Sequence, residues 1–108
     1  MEIDYNGRRF RPVGGDEATV ATYRQEGDLL WGEFGGTGET RRGALCGLAA
    51  ADGTIEFTYT MVLASGEIVA GRCRSTPYPL SDGRIGLHEV WERYGDQPSA
   101  GESELEEV

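Results

Sequence analysis

Apolar and polar residues alternate along most of this chain, in short runs cut by glycine-bearing turns. The clearest run sets Ile55, Phe57, Tyr59 and Met61 on one side and Thr54, Glu56, Thr58 and Thr60 on the other. Successive side chains of a strand point to opposite faces, so this run predicts a half-buried β-strand. Ile85, Leu87 and Trp91 share a second such face, against Arg84, His88 and Glu92. No long window carries apolar residues at the i, i+3, i+4 spacing of a helix, and no helix is expected.

The turns divide the pattern. Asn6-Gly7 is a hairpin signal between residues 3–5 and 8–10. Glu26-Gly27-Asp28, Asp52-Gly53, Ser65-Gly66 and Asp82-Gly83 each end one run and begin another. Strands are therefore expected at residues 3–11, 18–25, 29–34, 40–50, 54–63, 67–76, 84–94 and 101–107, the first splitting into a small hairpin at Asn6-Gly7. Residues 35–39 and 96–101 read as loops. Short connections favour pairing between sequence neighbours. The expected fold is all-β, a small antiparallel up-and-down β-barrel of about eight strands, of the lipocalin and streptavidin kind. Closure removes exposed strand edges; a small sandwich is the rival architecture. About eight strands enclose room for side chains or one small ligand. Cys46 falls on the fourth strand and Cys73 on the sixth. Second-neighbour strands lie about 9–10 Å apart, beyond the roughly 7 Å that a disulfide spans, so two free thiols are expected.

Composition narrows the chemistry. The 108 residues suit one domain over residues 1–108. All ten basic residues are arginine. Without lysine there is no phosphate-binding loop of the G-x-x-x-x-G-K-[ST] type and no Schiff-base or pyridoxal phosphate chemistry. The net charge of −9 disfavours nucleic acid. The arginine clusters Arg8, Arg9, Arg11 and Arg41, Arg42 are diluted by Asp4, Asp16 and Glu39. The start is polar, and no apolar stretch nears the roughly 18 residues of a membrane span; a cytoplasmic protein without membrane contact is expected. One histidine and two cysteines are too few for a structural zinc site. No metal and no cofactor are expected.

The residues that carry chemistry gather on two strands. Glu89 shares its face with Leu87 and Trp91. If that face is internal, its carboxyl must be paired, hydrogen-bonded or protonated. It then serves as a polar anchor or general acid/base, or forms an internal ion pair with Arg93 or Arg72. His88 points to the opposite face, as a lone surface histidine. Val69, Gly71, Cys73 and Ser75 form a small-residue face suited to a barrel interior, with Cys73 a packing thiol far from any base. Tyr23, Phe57, Tyr59, Met61 and Trp91, with Phe34 beside them, line either a pocket or an ordinary core. Gly35-Gly36-Thr37-Gly38 lacks the following helix of a phosphate loop. The run from Arg24 to Leu29 departs from an acetyl-CoA loop at its sixth position. The acidic end reads as a closing strand with Ser103 and Leu105 inward and a charged outer face.

Several segments together resemble a family of small bacterial proteins of about this length, whose members often carry the label N-acetylglutamate synthase. The carriers are Tyr-Asn-Gly-Arg-Arg-Phe-Arg-Pro-Val at 5–13, Tyr-Arg-Gln-Glu-Gly at 23–27, Gly-Arg-Cys-Arg-Ser-Thr-Pro at 71–77, Leu-His-Glu-Val-Trp at 87–91 and Gly-Glu-Ser at 101–103. Such synthases use a strand–loop–helix acetyl-CoA site that this chain lacks. The resemblance implies a small β-barrel with no established activity and supplies no catalytic residues. The expectation is a small-molecule-binding barrel with Tyr23, Phe57, Tyr59, Met61, Cys73, Ser75, Glu89 and Trp91 around the ligand. The alternatives are a cofactor-free isomerase, cyclase or hydrolase using Glu89 as acid/base with Tyr59 as hydrogen-bond donor, and a protein-interaction module. A homo-oligomer is left open.

Overall fold

The computed structural model describes residues 2–14, 19–36 and 38–108. Eight strands follow one another as β1 (Arg9–Pro12), β2 (Ala21–Glu26), β3 (Leu29–Phe34), β4 (Thr40–Ala49), β5 (Ile55–Leu63), β6 (Ile68–Pro79), β7 (Ile85–Arg93) and β8 (Ser99–Glu107). Each pairs antiparallel with the next, and β8 returns to β1 through Phe10 opposite Glu107 and Pro12 opposite Leu105. The sheet is thus a closed barrel and not a sandwich. Asp16, Thr37 and the expected start of the second strand at residue 18 lie outside the described residues.

The start of the chain differs from expectation. Residues 3–5 form no strand, and Asn6-Gly7 is a turn without a hairpin; the Arg8 amide donates to the Tyr5 carbonyl at 3.0 Å. Gly7 has φ of 83°, a conformation that glycine adopts at little cost. The strap instead folds under one end of the barrel, with Ile3 and Tyr5 buried. The Tyr5 ring packs against Phe10 and Tyr23, both at 6.2 Å between centroids. Its hydroxyl donates to the Gly53 carbonyl at 2.5 Å. Burying such a ring contributes roughly 1.5–3 kcal/mol, which a short exposed hairpin lacks.

Two other boundaries move. β6 runs on through Pro77 and Pro79, pairing there with β7 alone. An edge tolerates proline because one side of the strand has no ladder to complete. β8 begins at Ser99, inside the expected loop, because Ser99 and Ala100 pair with Arg93 and Glu92.

Glycines explain how the interior stays open. A Cβ at Gly43 would strike the Phe34 ring, one at Gly71 the Tyr59 ring, and one at Gly101 would lie 2.6 Å from Trp91 Cζ2. Large rings therefore lie over glycines of the neighbouring strand. Gly47, opposite Phe57 across β4 and β5, instead lies against the backbone of Glu56 and Phe57. On the outer wall, Leu29 pairs with Leu48 and Trp31 with Cys46, forming an exposed apolar strip. Cys46 is exposed and Cys73 buried, and both are free thiols.

Candidate functional site

The end of the barrel beneath the strap is filled by Ile3, Tyr5, Leu30, Ile55, Ile85 and Leu87. Towards the other end the interior opens into a cavity of about 240 Å³. At about 30 Å³ per water, it holds roughly eight waters or one small organic molecule. Its lining runs from Tyr23, Cys73 and Glu89 to Pro12, Phe34, Met61 and Arg93, at strand ends near the mouth.

The floor is polar, with Cys73 and Ser75 buried and Glu89 half-buried. Ser75 and Glu89 are cross-strand partners, as are Cys73 and Trp91. The Ser75 hydroxyl donates to Glu89 Oε2 at 3.1 Å, and the Cys73 thiol donates to the same oxygen at 3.4 Å. Burial raises the Glu89 carboxyl above its usual 4.5, against the opposing effect of those two donors. Desolvation disfavours the charged form, so it wins over the hydrogen bonds here. Burial also pushes the Cys73 thiol up strongly, and the neighbouring Glu89 adds to it. A thiol held protonated is a poor nucleophile. Tyr23 is pushed well above 10.0 by burial first and by Glu89 second.

The walls are aromatic. Trp91 commits its indole N–H to Ser103 Oγ at 3.0 Å, which fixes the ring against β8. Phe57, Leu45 and Leu105 complete the apolar middle. Nearer the mouth, the Tyr59 hydroxyl donates to the Glu92 carbonyl at 3.2 Å. Met61 accepts a weak hydrogen bond from Thr40 Oγ1 at 3.8 Å.

Seven of the eight sequence-derived residues border the cavity: Tyr23, Phe57, Tyr59, Met61, Cys73, Glu89 and Trp91. Ser75 is fully buried behind Glu89 and reaches the cavity only through it. Two expectations about Glu89 are corrected. It forms no ion pair with Arg72, whose side chain lies outside and approaches Glu56 at 3.7 Å. Arg93 also makes no ion pair with it, although both line the cavity. The Tyr59 hydroxyl is directed to a backbone carbonyl of β7 and not to Glu89.

His88 lies outside, as alternation requires, but it is not alone. Its Nδ1 lies 2.6 Å from Glu104 and its Nε2 2.8 Å from Glu102, and Tyr78 donates to Glu104 at 2.6 Å. Hydrogen bonds to both carboxylates raise the imidazole above 6.5, that to Glu104 first. Arg93 was expected inside only as an ion-pair partner of Glu89, and it lines the cavity in its own right. The signal was present, since Arg93 follows Trp91 by two and Glu89 by four and so shares their face. Phe10 was harder to find, because β1 is only four residues long and closure alone brings it to β8, where Leu105 already faced inward as expected.

Chemically, the site offers a carboxyl held towards its neutral form, an inert thiol and a phenol around an apolar space. Among the described residues no group of three or more His, Cys, Asp or Glu is placed to hold a metal ion. Neither a search of curated proteins nor one of solved structures finds a match. A family model described as avidin-like protein matches residues 3–108, nearly the full length, and on that match and the closed barrel beneath it this chain belongs to the avidin-like family.

Proposed function

We propose that this protein binds a compact, largely apolar small molecule inside its barrel, with the ligand's polar end on Glu89. One observation carries the reading. The hollow interior ends on a half-buried carboxyl whose Oε2 is occupied by Ser75 and Cys73, while Oε1 makes no hydrogen bond among the described residues. Nor does the Tyr23 hydroxyl have a partner among them, though it borders the same space. Polar groups that face an apolar space are costly without partners, so a ligand that supplies them gains affinity. Membership of a family of ligand-binding barrels supports the same reading.

Native mass spectrometry of gently purified protein tests it. The expected result is a reproducible adduct of a few hundred daltons at most, limited by a cavity of about 240 Å³. Trp91→Ala removes the main wall contact and should release that adduct. Bare protein, with no thermal shift across a library of small carbonyl compounds, would refute the proposal.

A cofactor-free isomerase, cyclase or hydrolase working through Glu89 is the second reading. The raised carboxyl favours it, because acid–base catalysis needs such a group near neutral pH. Glu89→Gln separates the two: an enzyme keeps its ligand and loses turnover. Self-association, where it occurs, would bury the strip of Leu29, Trp31 and Leu48 on the outer wall.

A further inference from the structure

The outer wall of the barrel is electrically two-sided. Along β2 to β6 the outward positions carry five arginines and three glutamates, a balance of +2 in a molecule whose net charge is −9. The outward positions of β7 and β8 carry four glutamates and His88, and no arginine. A β-bulge sharpens the contrast. The register shifts between Thr40 and Arg42, so Arg41 and Arg42 are both exposed where strict alternation sends one of two neighbours inward.

Each side also has an apolar centre. On β3 and β4, Leu29 and Leu48 are cross-strand partners, 46% and 57% exposed, and Trp31 beside them is 38% exposed. Arg24 faces Trp31 from β2. On β7, Val90 is 52% exposed and lies opposite Glu102 of β8, while Glu92 lies opposite Ala100. Contiguous apolar surface in water is unfavourable and marks contact surfaces. Tryptophan and arginine are prominent among the residues that carry the energy of protein contacts.

Two copies of this chain have three ways to bring these sides together. Strip against strip sets one arginine-rich wall on another, and acidic wall against acidic wall sets glutamate on glutamate. Like charge opposes both. The third arrangement brings arginines to glutamates and lays Leu29, Trp31 and Leu48 over Val90 and Ala100.

We propose that copies of this chain associate head to tail, the β3–β4 strip of one seated on the β7–β8 wall of the next. The two walls lie four strands apart in a closed ring of eight, so they face away from each other. A contact between unlike walls leaves one unused wall at each end, and each added copy extends an open row instead of closing a pair. At about 0.15 M salt the Debye length is about 8 Å, which screens the distant negative charge and leaves the contacting groups to interact. The patches are small, and small interfaces give weak association, from micromolar to millimolar. The proposal goes beyond ligand binding and does not depend on it, because the mouth lies at the strand ends and both walls face sideways.

Sedimentation velocity over about 10 μM to about 1 mM protein tests it. The average mass of the wild type should climb with concentration past that of a dimer. Two variants then separate the walls. Trp31→Glu blocks the strip and keeps the acidic wall; Glu92→Arg combined with Glu102→Arg reverses the acidic wall and keeps the strip. Each alone should associate at least about tenfold more weakly than the wild type. Mixed in equal amounts they should form a one-to-one dimer that grows no further, since each supplies the wall the other lacks. Leu48→Glu carries the same expectation and replaces Trp31→Glu if that variant does not fold. A wild type that stays monomeric, or that stops at a dimer, would overturn the proposal. So would wild-type-like growth of either variant alone, or a mixture that stays monomeric.

Discussion

Glu89 is where the stability of single residues and the chemistry of the site meet. A carboxyl raised above 4.5 in the folded state holds its proton after the unfolded chain has released it. Below that pH both states are protonated, and Glu89 adds no pH dependence. As pH rises through 4.5 towards the folded value, the unfolded state is favoured and stability is lost. Glu89→Gln has no proton to release. Urea unfolding between about pH 4 and pH 8 should therefore show the variant gaining on the wild type as pH rises, then a constant gap. A gap that shrinks with pH would mean that the carboxyl is ionised in the folded protein. His88 titrates with the opposite sense. Its raised imidazole supports the fold below 6.5, and that support fades as pH passes the folded value. The two groups lie on opposite faces of one strand, so the Glu89 variant isolates the interior contribution.

At the scale of elements, the strap and the short first strand decide whether the barrel has a bottom. β1 has only four residues, and it joins β2 through two registered pairs and β8 through three. So short a strand needs side-chain support. Tyr5 supplies it by packing on Phe10 and Tyr23 and by donating to Gly53 in the β4–β5 turn. Its burial pushes the phenol up to about 12. Tyr5→Phe keeps the ring but leaves the Gly53 carbonyl without its donor. The expected loss is about 1–2 kcal/mol, read as a fall in Tm of roughly 5–10 °C for a domain of this size. An unchanged Tm would show that the strap contributes packing and nothing more.

On the scale of the molecule, charge opposes compactness. Nineteen acids and ten arginines leave −9 on a body of 37 × 25 × 23 Å. The ion pairs on its outer wall, such as Arg42 with Glu33 at 3.0 Å and Arg84 with Asp82 at 2.6 Å, are exposed and contribute little. The Debye length is about 30 Å at 0.01 M salt and about 8 Å at 0.15 M. At the lower value charges repel across the whole barrel, and at the higher value only near neighbours interact. Tm should therefore rise with sodium chloride over that range. A fall would show that the surface ion pairs outweigh the self-repulsion.

The alternation of residues 55–61 and 85–91 determined the strands and their two faces, and the short turns their antiparallel neighbour order, because these are local properties, whereas closure against a sandwich was decided by the pairing of β8 with β1. It also set Glu89, Cys73 and Trp91 on inward faces and His88 outside. Residues 3–5 were misread for the same reason. Locally they resemble half a hairpin, and only the space beneath the barrel makes a plug of Tyr5. The glycines at 43, 71 and 101 carry no signal until the facing strand brings Phe34, Tyr59 and Trp91 over them. Whether the interior would be full or hollow was undecided for that reason: it depends on which large side chain meets which small one across the ladder. Arg93 shows the same limit. Its face followed from its position in the strand, but the lack of a partner for its Nε among the described residues depended on where their side chains came to rest, and that is a property of the closed barrel alone.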